Sequence, residues 1–76
     1  MNTEELINLF WDNYSDIDWE RYDFVDPPYV WNVMGSLEVD GYIFDIDGDE
    51  IVNDGYEVRT VNVTTPDGEE INLINR

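Results

Sequence analysis

The sequence predicts an α+β fold, an N-terminal helix packed on an antiparallel β-sheet of about three to five strands. Three observations predict it. Apolar residues recur at helical spacing only in the first fifteen positions, and aromatic and β-branched residues crowd the chain from Tyr29 onward. Four Asp-Gly dipeptides, beginning at 40, 47, 54 and 67, then cut that second part into pieces of strand length.

The helix is expected from Glu4 to about Asn13. Asn2 can accept from the first free N–H groups, Glu5 stands three residues on as a capping box requires, and Glu4 and Glu5 suit the positive end of the helix dipole. Leu6, Ile7, Phe10 and Tyr14 then form one apolar face. Ser15, with Asp18 three residues later, can cap a second short helix through about Asp23. Asp26-Pro27-Pro28 stops any helix, because the residue before proline leaves the α region and proline has no N–H. The chain thus reads as one domain over 1–76, helical to about 26 and β from about 29 to 75.

In the β part, Tyr29 to Met34 reads as a strand, Gly35-Ser36 as punctuation, and Leu37 to Val39 as a strand leading to Asp40-Gly41. The stretch Gly41–Glu57 holds six acids and no base, and its Asp47-Gly48 dipeptide predicts a hairpin pairing Ile46 with Asp49, Phe44 with Ile51 and Ile43 with Val52. The seven-residue spacing of the first three Asp-Gly pairs also permits longer strands with a bulge at one glycine. Thr65-Pro66-Asp67-Gly68 predicts a type I turn with a bulge, between strands Tyr56–Thr64 and Glu69–Asn75. Val63 then faces Ile71, Val61 faces Leu73, and the helix covers all four.

Charge sets the function classes. Nineteen Asp and Glu against three Arg, with no Lys and no His, leave a net charge of −16. The acids run from Glu4 to Glu70 interleaved with Trp, Tyr, Ile and Val, which describes an acidic surface on a folded body rather than an acidic tail. Nucleic acid and anionic membrane are excluded as direct partners by like charge, so the partner is a basic protein surface. Without cysteine there is no disulfide framework or thiolate zinc site, and without histidine the commonest base and metal ligand is missing. The acidic N-terminus lacks the basic region of a signal peptide, and no apolar run approaches membrane-spanning length, so the expected location is cytoplasmic.

No catalytic, cofactor or metal motif emerges, and the chain is expected not to be an enzyme. Asp45, Asp47 and Asp49 begin an EF-hand spacing, but Glu50 stands where glycine must turn the loop and Tyr56 where a bidentate glutamate belongs. Paired carboxylates can hydrolyse glycosides, yet among nineteen acids the proximity of two carries little information. Trp11, Trp19 and Trp31 suit interface anchors, while core packing is the simpler role for at least two of them.

In size, charge and lack of cysteine the whole chain resembles the small acidic inhibitors that phages and mobile elements make against DNA-handling proteins. Anti-CRISPR proteins and the uracil-DNA glycosylase inhibitor are among them. The resemblance rests on no motif. It implies a single-domain DNA mimic that occupies a basic nucleic-acid groove, such as that of a nuclease or CRISPR effector. Alternate residues of a strand stand about 6.6 Å apart on one face, the order of a phosphate spacing. Asp45 and Asp47, with Asp49 and Glu50 across the expected turn and Asp54 beyond, are therefore the candidate contacts. Asp16, Asp18 and Asp23 belong to a second acidic row that also contains Asp12, Glu20 and Asp26. An immunity protein against a basic nuclease toxin, a calcium-binding module and a salt-adapted acidic surface are the rival readings.

Like charges packed into one small body repel. Sodium chloride raised from about 0.1 M to 1 M shortens the Debye length from about 10 Å to 3 Å. The melting temperature is expected to rise across that range, and a fall would show that attractive pairs dominate.

Overall fold

A computed structural model describes every residue of the chain except Pro28 and Asn53. Helix α1 (Thr3–Asp12) opens on the expected capping box: the Asn2 side chain accepts from the Glu5 N–H at 2.8 Å, and the Glu5 carboxylate accepts from the Asn2 N–H at 3.1 Å. Leu6 and Phe10, one turn apart, are buried. Asn13 closes the helix, its side-chain amide donating to the Leu9 carbonyl at 2.9 Å.

A second short helix does not form. After a single 3-10 turn at Tyr14–Asp16 the chain enters strand β1 (Asp18–Val25). The reason lies in its periodicity: Ile17 is buried, Asp18 exposed, Trp19 half-buried and Glu20 exposed, a period of two. Asp26-Pro27 therefore ends a strand rather than a helix, and Pro28 lies outside the described residues.

Strands β2 (Val30–Val39), β3 (Tyr42–Ile51), β4 (Gly55–Thr64) and β5 (Glu70–Asn75) complete an antiparallel meander in the order β1-β2-β3-β4-β5. Asp40 and Gly41 form the two-residue β2–β3 turn with φ of 52° and 83°, the positive pair that a type I′ turn requires. The β4–β5 turn is the expected one, with the Gly68 N–H donating to the Thr65 carbonyl at 2.9 Å and the Thr65 N–H to the Glu69 carbonyl at 2.8 Å.

Two expected breaks are absent. Gly35-Ser36 lies within a continuous β2, and Asp47-Gly48 lies within a continuous β3, so the hairpin pairing Phe44 with Ile51 does not exist. Both glycines answer to packing. A Cβ on Gly35 would stand 2.7 Å from Ile17 and 3.1 Å from the Trp19 ring, and one on Gly48 would overlap the Glu57 carbonyl oxygen. At Gly48 the β3–β4 ladder passes from Asp47↔Thr60 to Gly48↔Val58, which leaves Arg59 as the extra residue of a β-bulge. The spacing of the Asp-Gly pairs is thus resolved in favour of long strands with a bulge. Two more bulges interrupt the ladders: Tyr22 is the extra residue on β1, and a bulge on β5 replaces the expected Val61–Leu73 pair with Val61↔Ile74, while Val63↔Ile71 holds.

The core lies between α1 and one face of the sheet, where Leu6, Phe10, Ile17, Leu37, Phe44, Ile46, Val58, Val61, Val63 and Leu73 pack together. Ile71 is only half-buried. Core packing was expected of at least two tryptophans, but among the described residues Trp19 alone packs against the core, half-buried, while Trp31 is half-buried away from it and Trp11 is exposed. Geometry explains why. A ten-residue helix is about 15 Å long, whereas the ten-residue strands β2 to β4 run about 33 Å, so α1 covers only one half of its face. Among the described residues no helix is long and apolar enough to cross a membrane.

Gly48→Ala is expected to destabilise the protein by about 1–3 kcal/mol, since the neighbour in the way is backbone rather than a flexible side chain. Urea unfolding of the variant against the parent measures it, and an unchanged midpoint would place the β3–β4 bulge elsewhere.

Candidate functional site

Among the described residues no element packs over the face of the sheet away from α1, and the antiparallel register decides what it displays. On β3, Phe44, Ile46 and Gly48 turn inward, so Asp45, Asp47 and Asp49 turn outward. The pairings Asp18↔Ser36↔Asp45, Glu20↔Met34↔Asp47 and Asp23↔Asn32↔Asp49 place three acids of β1 on that same face. Two rows of carboxylates result. Members two positions apart stand about 6.6 Å apart along the strand, Glu20 and Asp23 being separated by the bulge at Tyr22, and the rows lie roughly 9–10 Å apart across β2. A shallow open groove runs along the β3 row and is lined by Tyr22, Met34, Asp45, Ile46, Asp47, Thr60 and Asn62.

The β3 row is partly neutralised. Arg59, pushed out of the ladder by the bulge, places its guanidinium 3.3 Å from Asp47 and 3.7 Å from Asp49, and donates to the Gly48 carbonyl. Burial alone would lower the Arg59 pKa, but the charges of Asp47 and Asp49 outweigh it and hold the group above its usual value. The Tyr22 hydroxyl donates to Asp47 at 2.9 Å, and that bond pushes the Tyr22 pKa up. Asp45 has no ion-pair partner among the described residues.

Glu50 does not join this row. With no turn at Asp47-Gly48, its side chain points to the helix face, where Arg21 Nε donates to it at 2.6 Å and Arg21 Nη2 at 3.1 Å. The hydrogen bond from Arg21, helped by its charge, holds the Glu50 carboxyl below the ordinary range against a smaller opposing effect of burial. The remaining candidates are dispersed. Asp16 lies in the 3-10 turn and Asp54 in the β3–β4 turn, where its N–H donates to the Ile51 carbonyl. Asp12 ends α1 and Asp26 follows β1, outside either row.

Sequence reasoning passed over Arg59 and Tyr22, whose role depends on bulges that no local pattern announces, and over Glu57, which the ladder places beside Asp49. It offered Trp19 and Trp31 as interface anchors but not the aromatic series they join on the helix face. Trp19 stacks flat on Tyr56 with ring centroids 4.5 Å apart, Phe24 lies 5.0 Å from Trp31, and Arg21 sits 5.1 Å over the Trp31 ring. No group of three or more carboxylates among the described residues is placed to hold a metal ion. No protein-family model, curated protein or solved structure matches the chain.

The Arg21–Glu50 pair carries a defined pH dependence. Because the folded-state pKa of Glu50 is depressed, its stabilisation is fully present above the unfolded value of about 4.3 and is lost as the pH falls through the folded value. Glu50→Gln is therefore expected to melt below the parent at about pH 7, the gap closing in acid below about pH 4. A gap that persists in acid would mean the side chain acts through packing instead.

Proposed function

We propose that this protein is an inhibitor that occupies the nucleic-acid-binding surface of a basic DNA-handling protein, in the way that DNA itself would. A CRISPR nuclease complex is the kind of target suggested by the resemblance to phage-encoded inhibitors. The observation that carries this reading is the disposition of charge on an elongated body. The chain measures 40 × 20 × 19 Å and bears a net charge of −16, about one charge per 2.5 Å of its long axis. Duplex DNA carries one per about 1.7 Å. Its radius of gyration, 12.9 Å, exceeds the roughly 11 Å of a compact chain of this length.

Two further features support the reading. Carboxylates repeat along two strands at a spacing of the order of a phosphate backbone, on a face that no other element covers among the described residues. Of nineteen acids only Asp47, Asp49 and Glu50 are ion-paired among the described residues, so most of the negative potential remains available to steer a basic partner. The rigid ladder also means that little conformational entropy is lost when a partner docks.

A mimic competes with what it mimics. Binding to a guide-loaded CRISPR nuclease is expected to be blocked by prior loading of target DNA and to weaken as salt rises. Reversing Asp18, Glu20, Asp23 and Asp45 to lysine, none of which has an ion-pair partner among the described residues, is expected to slow association about ten-fold or more while leaving the fold intact. Surface-plasmon kinetics on both forms of the target would decide. Undiminished affinity for the DNA-loaded complex would rule out groove occupancy there.

A further inference from the structure

The half of the helix face that α1 leaves open carries a surface of its own. Register places Phe24, Trp31, Glu50 and Tyr56 in one row across four strands, through the pairs Phe24↔Trp31, Trp31↔Glu50 and Glu50↔Tyr56. Adjacent strands stand about 4.8 Å apart, so the row spans about 14 Å. Trp19 crosses the sheet over Gly35 to stack on Tyr56, and Tyr14 continues the series edge-on to Trp19, with centroids 6.3 Å apart. These rings are not sealed: Phe24 is 42% exposed and Tyr56 40%. Large aromatics held rigidly at partial exposure are what protein interfaces use as anchors.

The charge of the chain selects the occupant. A second copy would bring −16 against −16, and a neutral apolar partner would gain nothing from the surrounding acids. The molecule also contains one instance of the contact such a surface makes. Arg21 lies over the Trp31 ring while its Nε and Nη2 each donate to one oxygen of the Glu50 carboxylate, a stack and a bidentate pair satisfied together. Arginine meets both demands with one planar group, whereas lysine offers a hydrated point charge.

We infer that this aromatic strip is an arginine-binding surface, which takes guanidinium groups of a basic partner as Trp31 and Glu50 take Arg21. The inference rests on the charge-mimic reading and deepens it: the acids draw the partner in, and the aromatic strip selects arginine-rich over lysine-rich surfaces and sets the lifetime of the complex. Arg21 is then an internal occupant of the surface it resembles, and its removal frees one position.

Nona-arginine and nona-lysine peptides carry the same charge and separate the two contributions. Titrated at matched low salt and followed by tryptophan fluorescence and the indole N–H resonances, nona-arginine is expected to bind about five-fold tighter or more, with shifts at Trp19 and Trp31. Phe24→Ser with Tyr56→Ser is expected to remove that preference while nona-lysine binding stays as it was. Arg21→Gln, which removes one exposed side chain, is expected to enlarge the preference, and it keeps the test valid where the aromatic double variant does not fold. Equal affinity for the two peptides would overturn the inference and leave charge mimicry standing, whereas failure of both to bind would overturn the two together.

Discussion

The register of β3 carries the rest of the structure. A five-stranded sheet with a single helix buries one face, and the central strand must therefore send Phe44 and Ile46 to that side and Asp45, Asp47 and Asp49 to the other. A slip of one residue would turn three carboxylates toward Phe10 and Leu6, at a desolvation cost that a domain of this size does not have to spare. The type I′ turn at Asp40-Gly41 holds that register from one side. The close approach of the β4 backbone to Gly48 holds it from the other.

From that register follows a division of the molecule into two chemically distinct faces. On the open face, acids of β1 and β3 repeat at strand spacing, and Arg59 is admitted among them only because the bulge releases it from the ladder. On the helix face the core ends where the ten-residue helix ends, and the rest of the surface is roofed by flat aromatics instead of a second helix. Two of the three arginines are engaged within the molecule, one on each face, so the net negative field is trimmed locally without being cancelled. The acids of β1 serve the free protein as well, since charged side chains on an edge strand oppose pairing with another sheet.

In the proposed complex with a basic partner, charge and aromatic surface act at different stages of the encounter. Long-range attraction raises the rate at which a basic partner arrives, and it falls with salt. Close contact with rigid rings determines how long the partner stays. A surface of acids alone would hold many basic proteins briefly, so in the proposed complex discrimination among them falls to the aromatic strip.

What the sequence by itself determined is local. The Asn2–Glu5 capping box, the Leu6–Phe10 face, the Asp40-Gly41 turn and the Thr65–Gly68 turn each depend on residues within a few positions of one another, so their spacing was legible, as was the α+β class. The tertiary structure alone decided whether Asp47-Gly48 turned or continued, because the answer lies in the β4 backbone packed on Gly48. It likewise decided that residues after Ile17 join the sheet rather than a helix: Trp19 finds Gly35 and Tyr56, sixteen and thirty-seven positions away. The acidic rows were half legible. Alternation put Asp45 and Asp47 on one face, but only the continuity of β3 through Gly48 added Asp49, and only strand order could bring Asp18, Glu20 and Asp23 beside them and send Glu50 to Arg21 on the other side. Local spacing governs turns and caps, where the interacting groups are neighbours in the chain. Which strands lie side by side is a property of the whole sheet.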